Sequence, residues 1–120
     1  MKRDMDLIRT LLLHFEEETD ERRGVPVPPV KRDGQDVSKD ELDYHVKLLN
    51  EERLIETTKG EQGWFVNSLT WKGHEFLDAT RDDKIWKKVS HEVAKKGGGF
   101  TIDILKALAI KFLNEQLGLG

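Results

Sequence analysis

The stretch from Ser38 to Leu69 constrains the fold most, because its hydrophobic period changes halfway along. In SKDELDYHVKLLNEE, Leu42, Val46 and Leu49 recur at i, i+4 and i+7, which places them on one side of an α-helix. Ser38 is a good N-cap, Glu41 stands three residues on as its capping-box partner, and Val37 is placed to staple onto Leu42. Arg53 falls on the same side as the apolar stripe. Asp40, Tyr44, Lys47 and Glu51 face the other way, and Leu48 lies on a flank. Beyond Glu52 the helical period stops. RLIETT and WFVNSL are rich in β-formers, and the KGEQG between them carries the two glycines of a hairpin loop, Gly60 and Gly63. A helix that runs straight into a two-stranded ribbon has to bury its stripe against other elements of the same chain.

Those other elements are legible too. Met5, Ile8, Leu12 and Phe15 follow a helical period, widened by Leu7 and Leu11, and predict a first helix from about Asp4 to Glu18. The prolines at 26, 28 and 29 forbid helix and force an extended path, a loop or an edge strand near Pro29 to Lys31, closed by the turn signal Asp33-Gly34. Thr70 caps a short helix whose buried face is Leu69, Gly73, Phe76 and Leu77. Ile85, Trp86, Val89 and Val93 mark another helix, which the glycines at 97–99 break. Thr101 caps the last one, apolar on almost every side. A helix so apolar is expected in a core or against a second subunit.

The order is helix, extended segment, helix, hairpin, helices. That predicts an α+β fold, mostly α, with a winged helix-turn-helix core, a β-hairpin wing and extra C-terminal helices. The short helix that normally precedes a recognition helix is replaced by the proline-rich segment. The expected organisation is one domain over 1–120, with a core at 1–80 and a helical extension at 81–120.

Composition narrows the function. The chain has 120 residues, 36% charged, and a net charge of −3, so no global field draws it towards nucleic acid or an acidic membrane. With no cysteine there is neither a disulfide framework nor a thiolate zinc site, and a reducing cytoplasm is the natural setting. The apolar N-terminal stretch is interrupted by Arg9, Thr10 and His14 and lacks a small-residue cleavage site, so neither export nor a membrane span is expected.

Three blocks, MKRDMDLIR, YHVKLLNEERLIE and LTWKGHEFLDATRDDKIWKKV, resemble a family of small proteins from bacteria and their prophages that is known as a domain of unknown function. Together they span most of the chain up to about residue 110. The resemblance implies a winged-helix-like fold and a bacterial or phage context, and it carries no activity, catalytic residue or ligand. More loosely, HVKLLNEERLIE followed by a hairpin and LTWKG is similar to winged-helix repressors. This chain has Glu52-Arg53 where those proteins commonly carry a glycine.

No catalytic chemistry is evident. The histidines at 14, 45, 74 and 91 form no metal-ligand spacing, and no nucleophile elbow, phosphate loop or dinucleotide fingerprint occurs. His45, beside the apolar stripe, is expected half-buried and hydrogen-bonded to backbone. The glycines of KKGGGFT follow a helix and not a strand, which makes them an interhelical joint. The chain is therefore expected to be non-enzymatic, without metal or cofactor.

Two readings remain. The first is a transcription-regulator-like protein that binds double-stranded DNA through Lys39, Asp43, Tyr44, Lys47, Asn50, Lys59 and Gln62, as a homodimer joined by its C-terminal helices. The second is a protein-interaction module, host or phage, whose sticky surface is Leu48 and Trp64 or the last helix through Ile102, Leu105, Leu108 and Phe112. Element order favours the first, and DNA binding is the leading expectation. Charge favours the second, since acidic residues outnumber basic ones over Ser38 to Arg53 and Lys47 has a carboxylate four residues away on either side. Basic residues gather elsewhere, at Lys84, Lys87, Lys88, Lys95 and Lys96 on one helix and at Lys2, Arg3 and Arg9 near the start. Solvated lysines are the ordinary reading of such a face.

Overall fold

A computed structural model describes residues 1–20 and 22–119. The order is α1 (Met5–Glu18), β1 (Val25–Pro26), β2 (Lys31–Arg32), β3 (Gln35–Asp36), α2 (Lys39–Glu51), β4 (Ile55–Gly60), β5 (Gly63–Leu69), α3 (Trp71–Thr80), α4 (Asp83–Lys95) and α5 (Ile102–Gln116). The fold is α+β and mostly helical, as the periodicities indicate. It comprises two compact units, Met1–His74 and Glu75–Gly120.

In the first unit an antiparallel sheet of order β1-β5-β4 packs with α1 and α2. Leu7, Ile8, Leu11, Leu12 and Phe15 of α1 and Leu42, Val46 and Leu49 of α2 are buried, together with Leu54, Ile55 and Val66 of the ribbon. The ribbon is tighter than KGEQG suggests. Strand pairing continues to Gly60↔Gly63, so the turn is only Glu61 and Gln62 and Lys59 lies within β4. The proline-rich segment contributes more than a single edge. Val25 and Pro26 pair with Val66 and Phe65 of β5, where a proline is tolerated at a sheet margin. A separate small hairpin follows, Lys31↔Asp36 and Arg32↔Gln35, turned by Asp33 and Gly34 at φ 53° and 80°. Both central residues have positive φ, as an Asp-Gly type I′ turn requires. This hairpin stands where a helix-turn-helix would have its short second helix.

The capping details differ from expectation at one point. Ser38 does accept the amide of Glu41, but the Glu41 carboxylate does not return to the cap. It is held by Arg32 in a two-toothed ion pair, Nη1–Oε2 at 2.6 Å and Nη2–Oε1 at 3.0 Å. A charge-assisted fork outcompetes a single bond to a backbone amide.

Helix α2 ends in a Schellman motif. Leu54 N–H donates to Leu49 C=O at 2.9 Å and Arg53 N–H to Asn50 C=O at 3.0 Å, with Arg53 left-handed at φ 60°. Arg53 therefore leaves the apolar stripe and is exposed. An arginine stands where glycine is favoured, and a left-handed residue with a Cβ costs about 1–2 kcal/mol. Replacing Arg53 with Gly is expected to stabilise the fold by roughly 0.5–1 kcal/mol, after glycine's extra unfolded-state freedom is discounted. Urea titration measures this directly, and a destabilised R53G would contradict it.

The second unit is helical. Asp82 caps α4 through Lys84 N–H and Ile85 N–H, and Thr101 caps α5 through Ile104 N–H. Ile85, Trp86, Val89 and Val93 are buried as their spacing predicts, with Phe76 set edge-on to Trp86 at 6.4 Å between ring centroids. Gly97 and Gly98, at φ 99° and 84°, end α4 in backbone conformations that side chains rarely adopt. Among the described residues no helix is long and apolar enough to cross a membrane.

Candidate functional site

The surface of greatest interest lies between α2 and the β4–β5 ribbon. The α2 stripe faces inward, so its opposite face borders an open cleft of about 600 Å³ beside the ribbon. Asp43, Tyr44, Lys47, Asn50, Lys59 and Trp64 line it together. Lys39 and Gln62 instead border a second groove of about 540 Å³, and Asp43 and Trp64 line both. The structure thus brings the α2 and ribbon candidates to one face.

Their side chains are largely engaged. Lys39 Nζ lies 2.8 Å from Asp43 Oδ2, and that hydrogen bond, helped by the carboxylate charge, raises the lysine's pKa. Lys47 reaches Glu51 at 3.9 Å, one of the two partners its spacing allows. Asn50 Oδ1 accepts from the Thr57 hydroxyl at 2.8 Å, which ties helix to ribbon. Lys59 sits 5.4 Å above the Trp64 ring. Tyr44 is half-buried with its ring edge-on to His45, and Gln62 projects at the turn. Each cation of this face has a partner of its own.

The second groove was not legible in the sequence. Its apolar walls are Pro26, Pro28, Pro29, Leu42, Trp64 and Phe65. The prolines reach the ribbon through the Pro26↔Phe65 pairing, a long-range register that no local pattern announces. Phe65 is 40% exposed there.

Below this face, a polar lock joins three elements. Asp4 Oδ1 caps α1 by accepting from Asp6 and Leu7, while Arg32 Nη1 donates to Asp4 Oδ2 at 2.8 Å. The hydrogen bond from Arg32 holds the Glu41 carboxyl below its usual range. His45 is fully buried, more than its flanking position suggests. Its Nε2 accepts from Asp4 N–H at 2.9 Å and its Nδ1 lies 2.8 Å from Glu41 C=O. A carbonyl can only accept, so the ring proton resides on Nδ1. This is the backbone-bonded histidine expected, with a structural task.

The remaining candidates are dispersed. Leu48 is half-buried. On α5, Leu105 is wholly buried and Ile102 nearly so, which removes both from any surface, whereas Leu108 and Phe112 are half-buried. Apolar exposure on that helix comes instead from Ile104 and Ile110, 48% and 40% exposed. His14 stacks edge-on against Phe15, His74 lies 3.6 Å from Glu16, and His91 is exposed on α4.

The chain is 34% identical over 122 residues to an uncharacterized protein of Haemophilus influenzae, covering 98% of this chain and 99% of that one. No solved structure matches it. A family model described as a hypothetical protein, DUF2513, matches residues 2–99, and the chain belongs to that family.

Proposed function

We propose that this protein is a non-enzymatic interaction module whose first unit binds an extended, apolar segment of another protein between the proline-rich strand and the ribbon. One observation carries the reading. Lys39 and Lys47 of the α2 face are paired with Asp43 and Glu51 and Lys59 lies over the Trp64 ring, while the adjoining groove is lined by Trp64, Phe65 and three prolines. Phosphate binding needs free positive charge, and base reading needs free donors. Aromatic and proline walls instead suit a peptide in extended form.

Ultraviolet crosslinking tests the proposal, with p-benzoylphenylalanine replacing Phe65 in the full chain. The expected result is one or a few discrete protein adducts, reduced roughly tenfold or more by Trp64→Ala, as loss of an aromatic anchor implies. No protein adduct, or adducts indifferent to Trp64, would overturn it.

A DNA-reading role for α2 is the second reading. Element order and the β1-β5-β4 sheet beside α2 support it, since that is how a winged helix-turn-helix is laid out. It requires duplex affinity to fall when Lys47 and Asn50 are replaced by Ala. In that case α5, through Leu108 and Phe112, would join two copies.

A further inference from the structure

The second unit carries what the α2 face lacks. Lys84, Lys87, Lys88, His91 and Lys95 fall at successive turns of α4, within about 100° of arc by helical geometry. All five are exposed, and the opposite side of the helix holds the buried Ile85, Trp86, Val89 and Val93. Asp83 and Glu92 lie off this arc, so the stripe has no carboxylate in it. Among the described residues, none of the four lysine ammonium groups has an ion-pair or hydrogen-bond partner, in contrast to those of Lys39, Lys47 and Lys72.

The charge is also unevenly shared. Residues 1–74 hold twelve basic against sixteen acidic side chains, whereas 75–120 hold eight against seven. A polyanion is therefore repelled by most of the first unit's surface charge and attracted to one helix face.

The geometry points to this α4 stripe as a sequence-independent binding surface for the phosphate backbone of duplex nucleic acid. This goes beyond the peptide groove and does not depend on it. From Lys84 to Lys95 the helix rises about 16 Å, and duplex DNA presents one charge per roughly 1.7 Å of axis. Lysine is a point charge on a flexible stem, suited to phosphate without demanding an orientation. The stripe has no arginine, asparagine or glutamine to read base edges. Protein interfaces are poor in lysine and rely on aromatic or arginine anchors, of which the stripe has none. Nor does it carry an apolar residue to enter a bilayer boundary.

Fluorescence anisotropy with two labelled duplexes of unrelated sequence, titrated with the full chain, tests the assignment. Equal affinity for both is expected. With about four phosphate contacts, affinity should fall on the order of a hundredfold between about 50 and 200 mM salt. Lys84→Gln, Lys88→Gln and Lys95→Gln together should abolish most of that salt dependence and weaken low-salt binding at least about tenfold. The α2 pair Lys39→Ala and Lys47→Ala should leave binding unchanged. Circular dichroism of the triple variant checks that its helices are intact. The inference is overturned by no binding at low salt, by a marked preference for one duplex, by a folded triple variant that binds as wild type, or by retention on phosphatidylserine vesicles in place of DNA. Loss of the Phe65 crosslinks leaves this result untouched, so the two proposals fail separately.

Discussion

Gly73→Ala is expected to lower stability by about 3 kcal/mol or more, despite alanine's better helix propensity. Gly73 is the third residue of α3, where a methyl group would ordinarily help by about 1 kcal/mol. Here it would overlap the Leu54 carbonyl oxygen and stand 3.1 Å from the Leu54 carbonyl carbon. Neither atom can step aside, since Leu54 also donates its amide to Leu49 and accepts from Thr70 N–H at 3.0 Å. Forced overpacking typically costs 1–3 kcal/mol and more where backbone must move. Guanidinium unfolding of G73A against wild type decides the matter, and a neutral or stabilised variant would refute the close approach.

His45→Ala is the second large effect, expected at about 3 kcal/mol. The side chain is fully buried, so truncation leaves a cavity. It also strips Asp4 N–H of its acceptor, and an orphaned polar group costs about 1–3 kcal/mol, whereas Glu41 C=O keeps its helical bond from the residue 45 amide. Because Asp4 caps α1, the loss should appear first as fraying there. Faster amide exchange at Leu7 and Ile8 than in the ribbon is the expected signature, measured by NMR. Uniform acceleration throughout the first unit would show instead that the histidine serves the core as a whole.

How much of this was legible in the sequence follows from the range of the interactions involved. Caps and stripes are local, so Ser38, Thr70 and Thr101, and the buried faces of α1, α2 and α4, could be read from spacing. The Asp33-Gly34 turn was visible for the same reason. What escaped depends on partners far along the chain. The capping box lost Glu41 to Arg32, nine residues upstream, and the apolar groove exists because Pro26 pairs with Phe65. The α5 helix shows the complementary limit. Its apolar residues were evident, but which of them were inside was not, since a helix apolar on nearly all sides has no moment to orient it. The α4 lysines stand out in the sequence, while the absence of partners for their ammonium groups among the described residues is a property only the folded chain displays.

The Thr70 hydroxyl has two employers. It donates to Arg53 C=O at 2.6 Å and accepts from Gly73 N–H at 3.1 Å, so one oxygen both seals the bend after α2 and starts α3. Until the ribbon brings residue 70 back beside residue 53, a distance of seventeen positions, the oxygen cannot serve both. Ribbon closure therefore gives an oxygen already able to cap α3 a second bond, and the start of that helix is pinned to the bend that ends α2.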